Sequence, residues 1–132
     1  MKTQPVLMFV ANVPANWLEI RYAGHVTAAD LAGGVVETKQ HLAALKPGFS
    51  LVTDLTDLMK MDLACRPFLD EVMDLFRERG VSLVVRVIPD HTKDIGFGIL
   101  TLFHYDRRVK VVTCASRAEA EKVLPRAGRA GA

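Results

Sequence analysis

Beyond residue 24 the hydrophobic pattern switches repeatedly between two periods, and that alternation limits the fold more than any other feature of the chain. Leu31, Val35, Thr38, Leu42 and Leu45 recur at helical spacing. Residues 50–55 then read as a strand. Cys65, Phe68, Leu69, Val72, Met73 and Phe76 form the apolar stripe of a second helix, and Gly80 closes it. Residues 81–88 are apolar except for Ser82 and Arg86, the pattern of a strand covered on both faces. A third helix is predicted over 94–103, with Ile95, Ile99, Leu102 and Phe103 inward, and a fifth strand over 109–114. Ser116 and Glu119 make a capping box for a last helix, with Ala120, Val123 and Leu124 on one face. Strands and helices in strict alternation call for parallel pairing with right-handed crossovers.

The opening is different. Residues 6–11 read as a strand, 12–16 with Pro14 as a turn, and 17–23 as a second strand. Leu18, Ile20 and Tyr22 point one way, Glu19 and Arg21 the other, so this strand is half-buried. Gly24 and His25 end it, and Thr27 with Asp30 caps the first helix. Gly33 and Gly34 fall inside that helix, where an exposed glycine costs roughly 1 kcal/mol against alanine. Close packing against a neighbour is the expected compensation. Pro47-Gly48 stops the helix. The predicted class is α/β, in the order β-β-α-β-α-β-α-β-α. Its five-stranded sheet is mostly parallel or mixed, with flanking helices. A single domain is predicted over 1–124, with a disordered tail over 125–132.

Composition excludes several functions. Seventeen basic and 15 acidic residues leave a net charge of +2, which is no electrostatic footprint for nucleic acid or anionic lipid. The longest charge-free stretch, residues 3–18, holds two prolines and two asparagines and cannot be a membrane-spanning helix. It also reads better as an opening strand than as a signal peptide. Cys65 and Cys114 have no CxxC or zinc-type spacing, so both are expected to be reduced thiols in a cytoplasmic protein.

Candidate chemistry is sparse. Asp54 is placed at the end of a parallel strand, where α/β sheets put ligand sites. A phosphatase of the haloacid dehalogenase type needs a second Asp two residues on, and that residue is Thr56. Turn and cap roles are the plainer reading of Asp54 and Asp57. Cys65, near a helix start, has the position of a nucleophile, yet it shares the apolar stripe with Phe68 and Leu69 and reads as buried and inert. His25, His41, His91 and His104 are scattered without metal-ligand spacing. The Gly96-Phe97-Gly98 pair lacks the third glycine of a dinucleotide loop. Arg107, Arg108 and Lys110 form a small basic turn. No cofactor and no metal are predicted.

Together the stretches WLEIRYAGHVTAADL, SLVTDLTDLMKMD, GVSLVVRVIPD and VKVVTCASRAEAEKVL resemble, in order and spacing, the STAS family of sulfate-transporter and anti-sigma-factor-antagonist domains, with its SpoIIAA-like fold. The resemblance covers residues 6–124. It implies a non-catalytic, regulatory, protein-binding module. Antagonist members carry a phosphorylatable serine just after an Asp at the start of the helix after the third strand. Here the Asp is Asp62 and the next residues are Leu63 and Ala64, so the phosphate switch does not carry over. Pro67 places the regular helix start near Cys65. The expected partner surface is the loop 57–66, through Asp57, Lys60, Met61, Asp62, Leu63 and Arg66. A homodimer through the opening hairpin is left open.

Two other functions compete with this one. A lipid or small apolar ligand of the kind carried by SEC14-type proteins could be lined by Met8, Met59, Met61, Met73, Phe97 and Phe103. A magnesium-dependent phosphoryl-transfer enzyme would use Asp54, Asp57 or Asp62.

Overall fold

The computed structural model describes residues 6–88 and 109–124. Five strands form one mixed sheet in the order β1-β2-β3-β4-β5: Leu7–Asn12, Trp17–Val26, Ser50–Met61, Leu83–Val87 and Lys110–Cys114. β1 and β2 are an antiparallel hairpin, and every later pairing is parallel. The helices are α1 (Ala28–Leu42), α2 (Arg66–Glu78) and α3 (Arg117–Val123), with a 3-10 turn at Leu63–Cys65 before α2. The expected helix over 94–103 and the tail 125–132 lie outside the described residues, as do His91, His104, the Gly96-Phe97-Gly98 pair, Arg107 and Arg108.

The sheet separates two cores. On one face Leu18, Ile20, Tyr22, Leu51 and Val84 pack under α1 and α2, with Leu7, Phe9 and Ala11 from β1 at the side. On the other, Val52, Val85, Val87 and Cys114 pack under Ala120 and Leu124 of the α3 region. β4 is buried on both faces, as its run of apolar residues interrupted only by Arg86 predicts. Val123 points out, 42% exposed, and not inward as its spacing suggested; Ala120 and Leu124 take the inward positions.

Local signals set most helix ends. Thr27 and Asp30 form a reciprocal capping box: the Asp30 carboxylate accepts from the Thr27 N–H at 2.8 Å, and the Thr27 hydroxyl accepts from the Asp30 N–H at 3.3 Å. α1 ends at Leu42, short of Pro47, and a turn carries Leu45 back into the core. Gly80, at φ +86°, closes the α2 region. In α3 the Glu119 carboxylate reaches back past the cap to the N–H of Ala115 at 2.9 Å, while Ser116 Oγ accepts from the Glu119 N–H.

Two strands run longer than their alternation indicates. β2 continues through Gly24 and His25 to Val26, and β3 continues from Leu55 to Met61. The residues expected in a loop, Asp57 to Met61, are therefore strand. Two bulges hide them. Leu55 and Thr56 oppose the single Tyr22, and Met59 is an extra residue between the Gly24–Leu58 and His25–Lys60 pairs. Each bulge resets which side of the strand faces the core, so Leu55, Leu58 and Met61 are all buried at a spacing of three.

Candidate functional site: the corner of β2, β3 and α2

Asp54 is a buried organiser of the first bulge, not the end of a strand. It is 2% exposed in mid-β3. Its Oδ1 accepts from the N–H of Thr56 at 3.0 Å and also from the Thr56 hydroxyl, and Oδ2 faces Arg21 Nε at 3.5 Å. Neither the turn-and-cap expectation nor the strand-end position holds for Asp54, which is a buried strand residue beside the bulge. Beside it Glu19, expected at a solvent face, is buried. Arg117 of α3 grips both its oxygens, Nε to Oε2 at 2.9 Å and Nη2 to Oε1 at 3.0 Å. The same guanidinium lies over the Trp17 ring at 5.9 Å. The hydrogen bond to Glu19 raises the Arg117 pKa further, against the opposing effect of burial.

Beyond the second bulge the strands end together. The last pair is Val26–Met61. The Val26 carbonyl accepts from the Asp62 N–H at 3.1 Å and from the Cys65 thiol at 3.5 Å. Asp62 sits at the N-cap of the 3-10 turn, but its carboxylate makes no cap bond there. Oδ1 instead meets His25 Nε2 at 2.7 Å, tying the end of β2 to the start of the α2 region. Pro67 lies in the first turn of α2, where its missing N–H is harmless, as its position in the sequence predicts. Cys65 is fully buried, and burial pushes its thiol pKa up, which keeps it protonated and inert. Cys114 is raised for the same reason.

Of the six expected contact residues, five are at the surface of this corner. Asp57 and Lys60 project from β3, Asp62 is half-exposed in its pair with His25, Leu63 is 65% exposed, and Arg66 opens α2. Met61 is the exception: at 1% exposure it is a core residue below Cys65 and Leu69, because the second bulge turns it inward. His25 belongs to the corner and was missed, since its ring is placed by a strand extension that alternation does not show. Of the four described residues expected to line an apolar pocket, two are in the core and two, Met8 and Met59, are exposed. Met61 and Met73 belong to the α1/α2 core, whereas Met8 lies on the opposite face of β1 at 40% exposure. Phe97 and Phe103 are outside the described residues.

No helix among the described residues is long and apolar enough to cross a membrane. No family model and no curated protein sequence matches the chain. Solved structures do match. An uncharacterised protein of the DUF3478 family from Shewanella loihica PV-4, with a SpoIIAA-like fold, superposes with a TM-score of 0.64 at 14% identity, covering 94% of this chain and 98% of that one. The anti-sigma factor antagonist SpoIIAA in its unphosphorylated form gives 0.62 at 12% identity, covering 88% and 94%. The mixed five-stranded sheet, its opening hairpin and these superpositions together give the chain a SpoIIAA-like fold.

Proposed function

We propose that the chain is a non-catalytic regulatory module that docks a cytoplasmic protein partner through the β2/β3/α2 corner. The observation that carries this reading is the exposure of Leu63 on a pinned frame. Its 3-10 turn is anchored on one side by the His25–Asp62 pair and on the other by the Val26 carbonyl. An exposed leucine on a rigid turn, flanked by Lys60, Arg66 and Asp57, supplies an apolar anchor with a polar rim, which is the anatomy of a protein contact. The likeness to an anti-sigma factor antagonist supports a regulatory role.

Leu63 stands where the antagonist's serine is expected, and it has no hydroxyl to phosphorylate. Partner exchange at this corner is therefore governed by partner availability and not by phosphate at that residue. A chemical crosslinking experiment in the native host tests the reading. Wild type is expected to capture a protein that Leu63→Glu and Arg66→Glu both lose, with circular dichroism unchanged. The same captured proteins in all three would overturn it.

A further inference from the structure

Among the described residues, β1 is the outer strand of the sheet and is bonded on one side. The Val6 carbonyl accepts from the Ala23 N–H, so Val6 is a hydrogen-bonded partner of β2. Antiparallel alternation then turns the N–H and C=O groups of Leu7, Phe9 and Ala11 away from β2, toward the free edge. Natural edges are guarded by lysine, proline or a bulge. Residues 7–12 contain none of these, and the pairing with β2 runs without a register shift. The opposite edge strand, β5, opens with an exposed Lys110. Among the described residues, β1 is the edge strand without a charge.

α1 adds a second observation on the same side. Gly34 packs on β1, where an added Cβ would come within 2.8 Å of Leu7 Cδ1. Its neighbour Gly33 meets nothing within 4 Å. Gly33, Glu37 and His41 form one row along the helix, and the His41 ring stacks on Phe9 at 5.3 Å, which places that row on the β1 flank. A mid-helix glycine weakens the helix, and nothing among the described residues accounts for Gly33.

We infer that β1 pairs antiparallel with β1 of a second copy, making a continuous ten-stranded sheet across a two-fold axis. With the axis at Phe9, Leu7 lies opposite Ala11 of the second copy and Phe9 opposite its Phe9. All three pairs use outward-pointing groups and exchange six hydrogen bonds. On the other face Met8 lies opposite Val10 of the second copy, and both are exposed in the single chain, at 40% and 50%. A second copy is the occupant because the strand is charge-free and self-pairing sets no like charges against each other. Both α1 helices then lie on one face beside the axis, where Gly33 lets them approach.

Light scattering after size exclusion of the full chain, from 1 to about 100 µM, tests the pairing. The expected wild-type mass is twice that of the chain. The double variant Met8→Lys/Val10→Lys, which sets lysine against lysine across the axis, is expected to run as a monomer with an unchanged circular dichroism spectrum. Gly33→Arg, at a position open in the single chain, is expected to fold and to raise the dimer dissociation constant at least tenfold. A wild type that stays monomeric throughout, a mass above the dimer, or a dimer unaffected by Gly33→Arg would each overturn the proposal. The last reading decides the matter even if the lysine variant fails to fold.

Discussion

Arg117 closes a two-pronged fork on Glu19 across 98 residues of sequence, fastening α3 to the face of β2. Glu19 is 7% exposed and Arg117 26% by side chain, so the pair is only partly shielded from water. Arg117→Ala leaves a buried carboxylate facing Arg21 at 4.0 Å as its remaining cation. The expected loss is about 2 kcal/mol, below the cost of breaking a fully buried pair. Urea unfolding monitored by circular dichroism measures it, and Arg117→Lys should recover only part, since one ammonium cannot grip both oxygens.

The order of elements was legible because each is written locally. Thr27 with Asp30, Pro67 and Gly80 are signals that need no tertiary context. Glu19 was not legible: alternation marks it as outward, and only a helix from the far end of the chain makes outward mean buried. β3 failed for a different reason. Its bulges change the side-chain period from two to three, and Leu55, Leu58 and Met61 at that spacing look like the irregular apolar content of a loop. The corner was therefore found by the resemblance at residue 62, while its frame, including His25, depends on strand pairing that no local pattern carries.

Gly33 and Gly34 should respond unequally to the same substitution. In the charged Met8→Lys/Val10→Lys background, where self-association does not enter, Gly33→Ala meets nothing and is expected to gain about 1 kcal/mol of helix propensity. Gly34→Ala brings a methyl to within 2.8 Å of Leu7 Cδ1, the far end of a flexible half-buried side chain, so Leu7 must shift and the gain is expected to be smaller than at Gly33. Thermal and urea unfolding of the two variants side by side check the order.

Burial of Cys65 has a consequence on the alkaline side. Its folded pKa is raised above the ordinary thiol value of 9.0, chiefly by desolvation. The fold therefore holds the proton more tightly than the unfolded chain does. Its stabilising effect is complete below pH 9 and is lost as pH climbs from there toward the raised value. Unfolding free energy measured from pH 7 to 10.5 should fall, and Cys65→Ala, although weakened at every pH by its cavity, should show a shallower decline. A thiol reagent at pH 8 should label neither Cys65 nor Cys114 until the chain is unfolded, since both thiols are buried and raised.

Met61 and Leu63 are two residues apart and should separate cleanly by experiment. Met61, 1% exposed, fills the core under α2, so Met61→Ala is expected to cost about 3 kcal/mol. Leu63, 65% exposed, and Arg66 touch little of their own chain, so Leu63→Ala and Arg66→Ala should each stay within about 0.5 kcal/mol of wild type. Any loss of partner capture in these two would then reflect a missing contact, because the fold that presents the corner is intact. Urea midpoints for the three variants, read beside the same capture assay, distinguish the residue that builds the corner from those that face outward. A Leu63→Ala variant as unstable as Met61→Ala would place Leu63 in the packing of the 3-10 turn and remove it from the docking surface.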